Sequence, residues 1–330
     1  MIDTLFEKTK PQCIGRYIID VPESFNNQLL DSTYINDFKI ESKFIYPPAF
    51  NQRIALREKY LREWIPSAKN TPALKEVIQL PNGNGIIFDR NISGQDDLGR
   101  ILEAHVYINN IAFIITTEIL DLSDPKYKER KKSYKNAGFS ENQMNNKYTK
   151  LSEMKSLISR LNGRLDNEIP TDKGICIPNG FILDDNKKNN QQINFIYDNS
   201  ELLFSIESDN SIPGSKDTLL NRSLEIKAAM RRQNMETIKK GNLSPNNLPS
   251  QEWLMKGQQQ VYSTAENKRI PNIPYYDFWF FANEEVATPK QPQVYIAMNN
   301  VNKFTSYSDA QMVEIWDRIV GSLRYKPNAF

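Results

Sequence analysis

The residues of this chain that could do chemistry are few and far apart. Its two cysteines open two stretches that read alike, Cys13-Ile-Gly-Arg-Tyr-Ile-Ile-Asp-Val-Pro22 and Cys176-Ile-Pro-Asn-Gly-Phe-Ile-Leu183. Neither belongs to a CxxC pair, so neither a zinc site nor a disulfide framework is available. The plainer reading of Cys13 and Cys176 is two separate buried thiols; the sharper one is a single disulfide in an oxidising compartment, which needs Cα atoms within about 7 Å. The single histidine, His105, falls on the face of its strand opposite Leu102, Ala104, Val106 and Ile108 and reads as an ordinary sheet histidine. No HExxH motif or GxSxG elbow is present, and Gly83 and Gly85 lack the spacing of a phosphate cradle, so they read as hairpin glycines. Asp96-Asp97 and Glu284-Glu285 are paired acids, but sequence neighbours point apart, whereas glycosidase carboxylates face each other across a substrate. Tyr275 to Phe281 has aromatics that could stack bases, yet no Lys and Arg groove accompanies it, and a core strand covered on both faces fits better. The pattern predicts a binding protein with no catalytic residues, no metal and no cofactor.

The elements that must carry these residues occur twice. An amphipathic helix closes each half, running from Met154 into Arg160-Leu-Asn-Gly-Arg-Leu165 and from Met312 into Arg318-Ile-Val-Gly-Ser-Leu323. Openings and closings are each offset by roughly 160 residues, far beyond the roughly 20 to 50 of solenoid repeats, which points to a duplicated globular domain. The length of 330 residues suits two domains, divided here as 1–168 and 169–330. With 42 basic and 40 acidic residues the net charge is +2, and nothing pulls the chain toward nucleic acid. A mean hydropathy of −0.60 requires a strongly polar surface.

In the first half, Phe38 to Tyr46 alternates as a half-buried strand, and Phe50 to Ile65 carries Phe50, Ile54, Leu61 and Ile65 on one helical stripe. Strands at 74–80, 85–90, 100–108 and 112–120 are separated by turn residues such as Asn109-Asn110, an antiparallel meander. Asp124 to Lys150 reads as a partly helical excursion, and the closing helix should bury Met154, Leu157, Leu161 and Leu165. The second half reads as strands at 175–183, 193–197 and 202–208, a long helix over 216–240, and strands at 252–263, 275–283 and 293–299, with 268–274 as a loop. The fold class expected is α+β: two similar domains, each a mainly antiparallel sheet packed with helices.

Cys13 to Pro22, Lys173-Gly-Ile-Cys-Ile-Pro-Asn-Gly-Phe-Ile182 and Trp316-Asp-Arg-Ile-Val-Gly-Ser-Leu-Arg324 resemble, in order and spacing, the two domain openings and the terminal helix of the two-domain immunity proteins that neutralise lipase effectors of bacterial type VI secretion. That resemblance implies a periplasmic, non-catalytic inhibitor whose partner is a cognate phospholipase effector, gripped so that its lid cannot open. A lipid-surface carrier or envelope assembly factor is the alternative. The motifs are scaffold signatures, with Gly15 and Gly180 as backbone-geometry positions and Arg16 as an ion-pair partner. Met1 to Lys10 shows no export segment, so either one has been removed or the protein acts in the cytoplasm, and no membrane span is expected. Partner contacts are expected on loops that differ between the halves: Ser93 to Gly99 with Asp96 and Asp97, Asp184 to Asn190 with Lys187 and Lys188, and Lys268 to Pro274 with Arg269.

Overall fold

A computed structural model describes residues 2–27, 32–67, 70–94 and 96–330; Gln95 of the expected Ser93 to Gly99 loop lies outside them. The first half runs α1 (Ile2–Phe6), β1 (Thr9–Ile14), β2 (Tyr17–Pro22), β3 (Asn26–Asn27), β4 (Thr33–Ile35) and β5 (Phe38–Phe44). Then come α2 (Pro47–Glu63), the meander β6 (Leu74–Gln79), β7 (Gly85–Asn91), β8 (Gly99–Ile108) and β9 (Ile111–Leu120), and finally α3 (Lys128–Asn136), α4 (Glu141–Met144), α5 (Lys147–Arg160) and β10 (Leu161–Gly163). The second half runs β11 (Gly174–Ile177), β12 (Gly180–Leu183), β13 (Gln191–Asp198), β14 (Leu203–Asp209) and α6 (Ser223–Arg232). The meander β15 (Glu236–Leu243), β16 (Ser250–Ser263), β17 (Lys268–Ala282) and β18 (Gln293–Asn299) follows, and α7 (Asp309–Gly321) and β19 (Arg324–Tyr325) close it.

The fold is α+β, and strand order gives the duplication a physical form. The first half orders its strands β5-β9-β8-β7-β6 and the second β14-β18-β17-β16-β15, with every neighbour antiparallel. In both, the strand before the helix lies beside the last strand of the meander. Asn109 and Asn110 both take positive φ at the β8–β9 turn, as a two-residue hairpin of matching twist requires.

The compact units cut across this order. A larger unit holds Met1–Thr33, Asp166–Pro178 and Asp184–Phe330; a smaller one holds Tyr34–Leu165 and Asn179–Leu183. The halves have exchanged their opening strands: β2 of the first pairs with β19 in the larger unit, and β12 of the second pairs with β10 in the smaller. Within the larger unit, Gly15 and Cys176 exchange two backbone hydrogen bonds of 2.8 Å. Gly15 has φ +57°, and a Cβ there would meet Ser208 Oγ at 2.8 Å, so glycine is required on both counts.

Each helix of the repeated plan buries one stripe. α7 starts with a Ser308–Gln311 capping box and buries Met312, Ile315, Trp316, Ile319 and Val320. Trp316 donates its indole N–H to Glu252 at 2.9 Å. α6 lays Ile226 and Met230 on Trp253 and Met255 of β16. In the smaller unit, α5 buries Met154 and Leu157, while Leu61 of α2 packs on Ile86 and Phe88.

Several sequence expectations are corrected. The long helix over 216–240 is a ten-residue α6 followed by β15. Asn234 takes φ 52°, and the Met235 N–H returns to Met230 O at 2.9 Å, a Schellman-type ending that stops the helix. The 268–274 loop is the first part of β17, paired with β16 through Tyr262↔Arg269. The openings are each two strands, because Gly15 and Asn179, rather than Gly180, take positive φ. Ile65 and Leu165 lie beyond their helices and are exposed.

Candidate protein-docking site

From Tyr275 to Ala282, β17 alternates strictly. Tyr276, Phe278, Phe280 and Ala282 are buried, whereas Tyr275, Asp277, Trp279 and Phe281 on the other face are only half-buried, which corrects the strand expected to be covered on both faces. α6 covers that second face over Trp253 and Met255 of β16, and Trp279 and Phe281 of β17 pack against the edge of the same cluster. Register places Phe281, Tyr295 and Glu207 in one row across β17, β18 and β14, Trp279, Ala297 and Ser205 in the next, and Asp277, Asn299 and Leu203 in the third. In the middle row Ala297 and Ser205 are small and Ala297 is buried, with Trp279 beside them and Phe281 and Tyr295 in the row next to them. A hollow of about 180 Å³ opens beside it, lined by Glu207, Asp209, Ile212, Phe281, Gln293 and Tyr295.

The face is acidic. The Trp279 indole donates to Asp277 at 2.9 Å and the Gln192 amide donates to Glu207 at 2.9 Å, and among the described residues neither carboxylate forms an ion pair. Burial pushes the Asp277 carboxyl up to about 6, against the opposing pull of the Trp279 hydrogen bond. Burial, then the charges of Asp277 and Glu207, push the Tyr295 hydroxyl up to about 12, so this phenol feels both acids. Tyr275 is raised to about 12 by burial and by Asp277. The arrangement has no nucleophile and base pair; it offers aromatic surface and uncompensated negative charge.

The residues singled out from sequence lie elsewhere. Asp97 is buried, held by Lys75 at 2.9 Å, by Lys126 at 2.8 Å and by Tyr127. Burial raises its carboxyl, but those donors more than offset this and hold it below the usual carboxylate range. Asp96 pairs with Arg130 at 2.6 Å on the surface. Lys187 and Lys188 are exposed on the turn before β13, and Arg269 is exposed near the hairpin end of β17. Register puts that hairpin and the start of β13 at opposite ends of the larger unit's sheet, so Arg269 does not join the two lysines. Glu284 is buried, accepting from the Leu219 N–H and Arg222, each at 2.8 Å. Arg16 forms a two-pronged ion pair with Asp184, both contacts 3.0 Å. Cys13 and Cys176 are joined in a disulfide with Cα atoms 5.6 Å apart. His105 is buried and contacts Glu103 at 2.8 Å; Glu103 also takes two 2.7 Å bonds from Arg57 and one from Arg90. The one signal for the acidic face was Asp277, a lone charge inside an aromatic run.

Comparison with known proteins then decides the family. Residues 10–164 match the model of the Tle cognate immunity protein 4 N-terminal domain, and residues 168–328 match that of its C-terminal domain. The chain belongs to the Tle cognate immunity protein 4 family. Among solved structures, the fold is similar to the apo immunity protein TplEi of the type VI secretion system from Pseudomonas aeruginosa, with a TM-score of 0.74 and 18% identity over 99% of each chain. It is also similar to a chain of the Tle4-Tli4 complex, with a TM-score of 0.71 and 18% identity over 97% of this chain and 98% of that one. No curated protein matches. In this immunity-protein fold, no helix among the described residues is long and apolar enough to cross a membrane.

Proposed function

We propose that this chain is a non-catalytic immunity protein that binds a phospholipase effector of type VI secretion and inhibits it in the periplasm. The observation that carries the reading is the match of both immunity-domain models, in order, from residue 10 to residue 328. One structural neighbour is the Tle4-Tli4 complex, and the disulfide between Cys13 and Cys176 suits an oxidising compartment. The domains 1–168 and 169–330 would grip the effector at its lid or active-site entrance, and the loops bearing Asp96, Asp97, Lys187, Lys188 and Arg269 are contacts read from the sequence. The test mixes the purified protein with the phospholipase encoded by the neighbouring gene and follows hydrolysis of phospholipid vesicles. Inhibition should saturate near one equivalent, and the protein alone should release no fatty acid. Undiminished hydrolysis at tenfold excess, or bound lipid without any lipase affinity, would replace this reading with that of a lipid carrier.

A further inference from the structure

The larger unit keeps two carboxylates, Asp277 and Glu207, beside half-buried aromatic rings and, among the described residues, without an ion pair; the Arg222 guanidinium, 5.6 Å from the centroid of the Phe281 ring, is held by Glu284. An unpaired acid in a partly desolvated site destabilises the fold, and such groups cluster where a ligand supplies the missing charge. In the same face, the Phe281 and Tyr295 rings meet at a tilt with centroids 4.7 Å apart, and the neighbouring hollow of about 180 Å³ is sized for one long side chain rather than a small-molecule ligand. Aromatic walls with acids at the base favour a guanidinium or ammonium group with an apolar stem. Phosphate headgroups would be repelled.

We propose that this face of β17, β18 and β14 is where the effector docks, by seating one arginine or lysine side chain in the hollow against Glu207 beside Tyr295 and meeting Asp277, two strands away, with a second basic group beside Trp279. The proposal rests on the immunity reading and gives it an address. Tyr and Trp supply broad contact area with little entropy to lose, and the desolvated charge pair supplies specificity; together they have the make-up of an interface hot spot. The exposed basic residues of α6, Lys227, Arg231 and Arg232, stand on a neighbouring helix and pair with neither acid.

The test titrates the neighbouring-gene phospholipase with the full chain and with the double variant Asp277→Asn, Glu207→Gln, by calorimetry at low and at high salt. The double variant should bind at least about tenfold more weakly at low salt and with a shallower salt dependence. Tyr295→Ser, which removes an aromatic wall of the hollow and leaves both carboxylates, should weaken binding about threefold. Equal affinities and salt slopes for wild type and double variant would overturn the docking face while leaving the immunity reading in place. A wild-type chain that fails to bind the phospholipase would overturn both. A wild-type dimer in sedimentation that the double variant dissociates would also overturn the proposal, because the occupant would then be a second copy of this chain.

Discussion

β8 of the smaller unit and β17 of the larger are equivalent strands, each the central one of its half's five-strand order and each carrying an acid on the face where α2 or α6 packs. Their environments differ. Glu103 on β8 is enclosed by Arg57 from α2, Arg90 from β7 and His105, whereas Asp277 on β17 accepts one indole N–H and meets no cation. The cause is the reach of the helix. α2 has 17 residues and brings Arg57 over β8, while α6 has 10 and packs on Trp253 and Met255 of β16 and on the Trp279 and Phe281 rings without bringing a cation to Asp277. One plan folded twice has thus used the same position in opposite ways, as a neutralised anchor in one copy and as uncompensated charge in the other. Burial acts upward on both carboxyls. In Glu103 the three basic neighbours more than reverse it, and in Asp277 nothing does.

The sharpest break of this comparison is Glu103→Gln. It leaves two guanidinium groups and an imidazole facing an amide in a closed site, so unfolding by urea should show a loss of about 3 to 5 kcal/mol. A loss under about 1 kcal/mol would mean that Glu103 is no more an anchor than Asp277. Next in size is the disulfide. Replacing Cys13 and Cys176 together by Ala should lower stability by about 2 to 4 kcal/mol, because the unfolded chain regains the freedom of a long closed loop. Hydrogen exchange should show the lost protection first at β1, β2 and β11, the segments of the larger unit that the bond ties together.

Asp277→Asn should act with the opposite sign. With a folded pKa of about 6 against about 3.9 in the unfolded chain, folding favours the protonated acid. Its contribution is therefore most favourable below pH 4 and is lost as pH rises through 6. The variant should be more stable than wild type by about 1 kcal/mol at pH 7.5, the full shift being discounted for partial solvent access, and equal to it near pH 4. The groups facing Asp277 are Trp279 and Tyr275 on its own strand and Tyr295 on β18, none of which titrates in that range. A variant less stable at pH 7.5 would show that the Trp279 hydrogen bond outweighs the burial of the charge.

What the sequence disclosed follows from which forces are local. Period-two alternation in β8, the Asn109-Asn110 turn and the helical stripes of α5 and α7 depend on neighbours in the chain, and all were legible. The exchange of β2 and β12 was not, because the two openings are chemically alike and nothing in either says which closing strand it will meet. The helix over 216–240 failed at Asn234, whose left-handed conformation overrides a continuing apolar period. Trp279 and Tyr275 concealed the docking face, since an aromatic counts as apolar in a pattern and yet serves equally well at a half-open surface. Asp277 was the exception within that run, and its meaning depended on how far α6 would reach.

The smallest expected effect separates the acidic face from the loops expected from sequence. Lys187 and Lys188 are exposed on a turn pinned by the Lys187 N–H to Asp185 at 3.0 Å. Reversing both to Glu should leave stability within about 0.5 kcal/mol, as for other surface sites without partners. Its effect on binding discriminates between the two surfaces. If the effector presents basic side chains to Glu207 and Asp277, removing two positive charges from the start of the same sheet should leave affinity unchanged or raise the association rate at low salt. If instead the effector meets this turn with acids of its own, reversal should weaken binding about tenfold and the loss should vanish at high salt. The second outcome would move the interface to the Asp184 to Asn190 loop and leave Asp277 as an acid whose strain serves no partner.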